Sequence, residues 1–260
     1  MPHFQDDIYL GGSPGAGGIP PNDLQGVAGQ PSLMPGVGPL GRVHIFDILP
    51  LATQTNNAAT ALTSGGAATF TTLTSPGLVA GTGATLVTLA DGTPAIQFDT
   101  DRCVSLTSAG NLSAATVTIT GYDRYGQRLS FSRAGPNANT VVTTKAFRGI
   151  ISIATSAALG TAMTVGTSNV FGLPVAIPSA NYVIKASYNG VLAQDAGTLV
   201  AADGTSPATA TTGDVRGTYA PSGVTSGTQR VTLALAVTAI QAGPNATRLG
   251  AYGVNQNLAA

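Results

Sequence analysis

Two histidines, a single cysteine and acids that are all aspartate leave this chain few groups for acid–base or nucleophilic chemistry. A Ser/His/Asp hydrolase needs an imidazole beside its nucleophile. His3 stands near the N-terminus and His44 inside an alternating apolar run that reads as a strand. Histidines so placed do not assemble a zinc site either. Gly36-Val37-Gly38-Pro39-Leu40-Gly41 spells a dinucleotide loop, but no strand precedes it, Pro39 interrupts it and a strand follows it. Asp91, Asp99 and Asp101 raise the question of a calcium loop or a glycosidase pair. Calcium loops carry more carboxylates at ordered spacing. A sugar cleft wants aromatics, which are 5% of this chain with no tryptophan. The plainer reading has Asp99 and Asp101 ending a strand and capping a turn, with Arg102 near enough to pair. No catalytic, cofactor-binding or metal-ligating residue is predicted.

Two stretches place an Asp beside an Arg near a tyrosine: Asp123-Arg124-Tyr125-Gly126 and Asp214-Val215-Arg216-Gly217-Thr218-Tyr219. One reading is a hairpin tip and a loop held by local ion pairs, each worth about 0–1 kcal/mol if exposed. The other is an intersubunit contact, for which the Arg fork and the Tyr body are favoured anchors. On that reading Tyr122, Arg124, Tyr125, Arg216 and Tyr219 are the candidate contacts. Cys103 excludes an intrachain disulfide framework and reads as a small buried hydrophobe in a strand. Asn111-Leu112-Ser113 and Asn245-Ala246-Thr247 match the glycosylation pattern by chance, since Met1 to Asp7 has neither the basic head nor the apolar core of a secretory signal.

The elements that must position these residues read as strands. Val43 to Leu49, closed by Pro50, is the first, followed by 67–73, 85–89, 95–98 and 103–106. The clearest hairpin runs from Thr116-Val117-Thr118-Ile119-Thr120 through a turn at 121–126 to Leu129-Ser130-Phe131. Its Val117, Ile119, Leu129 and Phe131 share one face. Strands at 140–143, 149–153, 163–165 and 182–188 continue the series, with Asn189-Gly190 a tight turn into Val191-Leu192. Residues 203–228 read as a long loop, and 230–238 as the last strand. No window holds helical periodicity over three turns. The predicted fold is mainly β, a β-sandwich or jelly-roll-like body over 43–243, with a possible division into two β subdomains near 175–180.

Residues 1–42 form a separate zone, an extended, non-regular N-terminal arm rich in Gly and Pro. Phe4, Ile8, Tyr9, Leu10, Leu24, Leu33 and Met34 punctuate it, more apolar groups than a spacer needs, and are the expected anchors on a partner. Residues 244–260 are a C-terminal tail. Charged residues make up 8% of the chain, against about 25% in an average soluble domain. Eleven acids balance eleven bases, and no basic run marks a nucleic-acid binder. No apolar stretch approaches the roughly 20 residues of a membrane span. A neutral Thr/Ser/Asn exterior suits a surface covered by neighbours.

The stretch Val117-Thr118-Ile119-Thr120-Gly121-Tyr122-Asp123-Arg124-Tyr125-Gly126-Gln127 resembles a pattern in tailed-bacteriophage virion proteins. So do Gly135-Pro136-Asn137-Ala138, Lys145-Ala146-Phe147, Val165-Gly166-Thr167, Phe171-Gly172-Leu173-Pro174 and 211–219. The resemblance covers about residues 115 to 235 and departs at Tyr122, Arg124 and Asn169. It implies a structural protein, most plainly a capsid decoration (cement) protein on the virion surface, made in the host cytoplasm. The implied partners are the major capsid protein and copies of itself, as a trimer, with no cofactor, nucleic acid or membrane. A tail or fibre-type adhesin that binds a host glycan is the alternative. A major capsid protein would want a long helix, and an enzyme more histidine and glutamate.

Overall fold

The computed structural model describes residues 7–8 and 40–238. Phe4, Tyr9, Leu10, Leu24, Leu33 and Met34, and the tail 244–260, lie outside the described residues. In chain order the strands are β1 (Asp7–Ile8), β2 (Leu40–Ile48), β3 (Ala59–Ser64), β4 (Ala68–Phe70), β5 (Ala84–Thr88), β6 (Pro94–Ser108) and β7 (Thr116–Tyr122). They continue as β8 (Arg128–Ala134), β9 (Thr140–Thr155), β10 (Leu159–Gly172), β11 (Val183–Tyr188), β12 (Thr198–Val200), β13 (Thr218–Ala220) and β14 (Val231–Thr238). Among the described residues the one helical turn is a 3-10 segment at Ala180–Tyr182.

The protein is a mainly-β domain of two antiparallel sheets. A four-stranded sheet runs β1-β2-β14-β11. A ten-stranded sheet runs β12-β13-β10-β6-β9-β7-β8, with β3 also on β10, β4 on β9 and β5 on β6, and curls into an open half-barrel. One apolar cluster lies on the large sheet and includes Leu62, Phe98, Leu106, Val117, Ile119, Phe131, Phe147 and Met163. A second joins the two sheets: Phe46, Val231, Leu233 and Leu235 of the small sheet meet Phe171, Leu173, Ile177 and Tyr219.

The β7–β8 hairpin forms as expected, with Ile119 opposite Phe131, and Val117, Ile119, Leu129 and Phe131 all buried. Cys103 is buried within β6. Asn189 and Gly190 adopt positive φ (54° and 71°), the backbone of a tight turn. The partner of β11 is nevertheless β14, and Val191-Leu192 is not a strand. The loop after the turn folds back so that Asp195 N donates to Ala186 O, which covers part of the β11 edge. The loop predicted over 203–228 holds β13, and β3 and β12 were not anticipated.

The largest departure is in the long central strands. The sequence offered 95–98 and 103–106, and again 140–143 and 149–153, as separate pieces, whereas β6 and β9 run through both. Bulges explain this. Between the pairs Gln97↔Gly149 and Arg102↔Phe147, β6 advances five residues while β9 advances two. Between Cys103↔Ala146 and Ser105↔Val142, β9 advances four while β6 advances two. Between Thr167↔Val104 and Phe171↔Arg102, β10 advances four while β6 advances two. Extra residues break the two-residue alternation and re-aim the side chains that follow. Asp99 and Asp101 therefore do not end a strand; they belong to the β6 bulge.

Candidate functional site

The three bulges bring together residues that are far apart in sequence. At the β7–β8 tip, Asp123 Oδ1 accepts from Tyr125 N and Gln127 N, each at 2.9 Å, a side-chain-closed turn. The other oxygen, Oδ2, is left pointing inward and accepts from Arg216 Nη2 at 2.7 Å. Arg216 is held in turn: its N donates to Asp214 Oδ1 (2.9 Å) and its Nε to Leu173 O (3.1 Å). Asp214 Oδ2 accepts from Ala146 N in the β9 bulge at 3.0 Å. The Arg216 guanidinium lies 5.0 Å from the centroid of the Tyr125 ring, whose hydroxyl donates to Pro174 O at 2.6 Å. The two Asp–Arg–Tyr stretches of the sequence are thus each other's partners.

Around the β6 bulge, Arg102 Nε and Nη2 donate to Asp99 Oδ1 (2.8 Å) and Oδ2 (2.7 Å), the fork geometry that makes Arg–carboxylate pairs specific. Arg102 Nη2 also reaches Leu51 O (2.6 Å), Asp99 Oδ2 accepts from Leu51 N (2.7 Å), and Arg148 Nη1 donates to Asp99 O (2.7 Å). Pairing of Arg102 with an Asp is as expected, though across a bulge rather than a turn. Arg102 stacks on Phe171 at 5.0 Å. Asp101 Oδ2 meets Arg124 Nε at 2.9 Å, and Arg124 lies over Phe46 of the small sheet at 5.1 Å. From the β9 bulge, Lys145 Nζ donates to Thr209 O at 2.6 Å, and Thr143 Oγ1 accepts from Val104 N at 2.9 Å. In the β10 bulge, Ser168 Oγ donates to Cys103 O at 2.9 Å.

Asp101, Arg102, Asp123, Lys145, Asp214 and Arg216 are all buried. Burial disfavours charge, and partners restore it to different extents. Burial pushes the Asp101 carboxyl up from 3.8, opposed by Arg124, Arg216 and Arg148. It pushes the Lys145 amine down from 10.5, opposed by Asp214 and Asp203. At Arg216 burial acts against the charge but Asp214 and Asp123 outweigh it, so the guanidinium is held more firmly charged. Among the described residues, Asp101 Oδ1 and the Tyr122 hydroxyl, both buried, have no hydrogen-bond partner. Chemically the arrangement is a clamp: it ties the hairpin tip, three bulged strands and the 209–216 strap together, and Arg124 extends it to Phe46 of the small sheet.

Of the residues expected at intersubunit contacts, Tyr122, Arg216 and Tyr219 are buried within this chain. Tyr219 donates its hydroxyl to Asp195 Oδ2 at 2.6 Å, and burial together with that carboxylate pushes its pKa up. Tyr125 remains 45% exposed, and the Arg124 side chain 21%. Ile8, in β1, stands opposite Val43 of β2. Lys145 and Arg148 were missed by sequence reasoning. A lysine followed by Ala146-Phe147 in a charge-poor chain was the available signal.

The exterior is the complement of this interior. Among the described residues the exposed charged ones are Asp47, Asp91, Lys185 and Arg230. Asp47 is paired with Arg230, and Asp91 with Arg128. Exposed apolar side chains include Leu49, Leu51, Leu73, Leu86, Leu192 and Val224. Among the described residues no group of three or more His, Cys, Asp or Glu is arranged to hold a metal, and no helix is long and apolar enough to cross a membrane. No family model, no curated protein and no solved structure matches this chain.

Proposed function

We propose that the chain is a non-enzymatic structural protein of a tailed-phage particle, a cement protein that decorates the capsid and bridges neighbouring capsid subunits. The observation that carries this reading is where the charge lies. A chain with 8% charged residues holds many of them in a buried clamp, and its exterior among the described residues is poor in charge and studded with apolar side chains. Such a surface suits enclosure by neighbours rather than free solution. The pattern over residues 115–235 supports the same class. We read the two sheets around their shared apolar cluster as a jelly-roll-like sandwich body, with the chain before β2 as an extended arm.

The mechanism is mechanical. Internal pressure pulls capsid subunits apart, and a body braced by buried ion pairs resists separation of the strands of its large sheet. Contacts to the major capsid protein gain about 25 cal/mol per Å2 of apolar area removed from water. Repetition on a lattice multiplies weak single contacts into firm retention. A trimer of this chain suits three-fold capsid positions. The test is deletion of residues 2–40. The truncated body should fold and lose its binding to expanded heads; undiminished binding removes the arm from the mechanism. Binding of the full chain to host cells or purified polysaccharide instead would establish an adhesin.

A further inference from the structure

The outer edge of β2 is a feature that the ionic clamp does not use. On one side β2 pairs with β14 along its length, from Ile48↔Val231 to Leu40↔Thr238. On the other, its partner among the described residues is β1, through Asp7↔His44 and Ile8↔Val43 alone. An incompletely paired edge is a template for another strand. Val43 and its neighbour in register, Ala236, are both buried, and they alternate with the positions that carry Leu233 and Leu235 into the inter-sheet core. The acceptor position opposite Ile8 is therefore apolar on the face away from that core.

The connection from Ile8 to Leu40 is about 30 residues, with a contour of about 100 Å. That is enough to deliver β1 to a neighbouring molecule. Pairing within one chain must close that loop, at an entropic cost that grows with its length. Pairing between copies packed side by side closes no loop and forms the same hydrogen bonds, the usual condition for exchange of an element between protomers. Formal net charge is zero, so an identical copy meets no net repulsion.

We propose that the outer edge of β2 is an acceptor for the N-terminal strand of a second copy of this chain, so that crowded copies are joined by exchanging Asp7–Ile8. This names a partner for the arm, but it rests on strand pairing and needs no capsid, so it and the cement reading can fail separately.

Directly opposed residues of an antiparallel pair lie within disulfide reach. Full-length I8C and full-length V43C are mixed and oxidised at about 1 mM, the effective concentration typical of short linked partners. Cys103 is buried and does not compete. The expected result is a mixed disulfide between positions 8 and 43 about tenfold in excess of either like-with-like disulfide, falling on dilution. The double variant should close on itself when dilute and form interchain ladders when concentrated. A double variant that closes only on itself at every concentration would overturn the exchange. So would a mixture with no excess of the mixed disulfide. D7C with H44C, the adjacent register pair, provides the same reading should V43C fold poorly.

Discussion

At the scale of single residues, the Asp123–Arg216 pair has the clearest energetic consequence. Taking one partner from a buried pair leaves the other charge desolvated and alone, which costs about 3–5 kcal/mol. D123N retains a side-chain oxygen to close the hairpin turn but removes the charge opposite Arg216. R216M leaves Asp123 buried with its turn hydrogen bonds alone. Each should lower the urea midpoint by about 1 M or more, and the double variant should lose less than the sum of the singles. Additive losses would mean that the pair is not a unit. Asp195 provides a pH signature. Burial pushes its carboxyl up, but hydrogen bonds from Ser222, Tyr219 and Gly197 outweigh burial and hold it below 3.8. A lowered carboxyl stabilises the fold above its unfolded value, and that contribution is lost as pH falls through the folded one. D195N should therefore be less stable than the parent at neutral pH, with the gap narrowing below about pH 4. Denaturant midpoints across pH measure this, and a gap that stays constant would contradict it.

At the scale of elements, the close passage of residues 54–56 over β10 depends on a missing side chain. A Cβ on Gly166 would overlap Gln54 O and stand 2.5 Å from Thr55 C, backbone atoms that cannot rotate away. G166A should cost about 1–3 kcal/mol by forcing the segments apart, with a matching drop in melting temperature. An unchanged melting temperature would show that the 54–56 segment yields freely. Cys103 reports on the same central strands. It is buried in β6 and burial pushes its thiol up, so it should resist thiol reagents until the sheet opens. Labelling that tracks global unfolding is expected; rapid labelling in native buffer would show local opening of β6. Elements with plain alternation were legible in the sequence: Val117/Ile119 against Leu129/Phe131, and Val231, Leu233 and Leu235. The centres of β6, β9 and β10 were not, because each carries extra residues that shift the period partway along. Those unreadable stretches are where Asp99, Asp101, Arg102, Lys145 and Ser168 gather. The Asp–Arg–Tyr stretches were visible as motifs, but their pairing across more than ninety positions depends on which strands are neighbours, and local spacing does not encode that.

At the scale of the whole molecule, composition indicated scarce charge but not where the charge would lie. The described surface shows Asp47, Asp91, Lys185, Arg230 and the half-exposed Arg128, and ion pairs tie four of these five to another residue. Long-range electrostatic steering is therefore weak, and the proposed attachment would come from apolar and backbone contacts. Such contacts are insensitive to salt or strengthened by it, whereas ion-pair attachment fades as the Debye length shrinks. The most direct measurement of the proposed cement role is binding of the full-length protein to expanded phage heads, followed from about 0.05 M to 1 M salt. Saturable binding that holds or tightens across that range is the expected result. No binding to heads, or affinity that falls steeply with salt, would contradict the reading of this chain as a neutral-skinned cement with its charges locked inside.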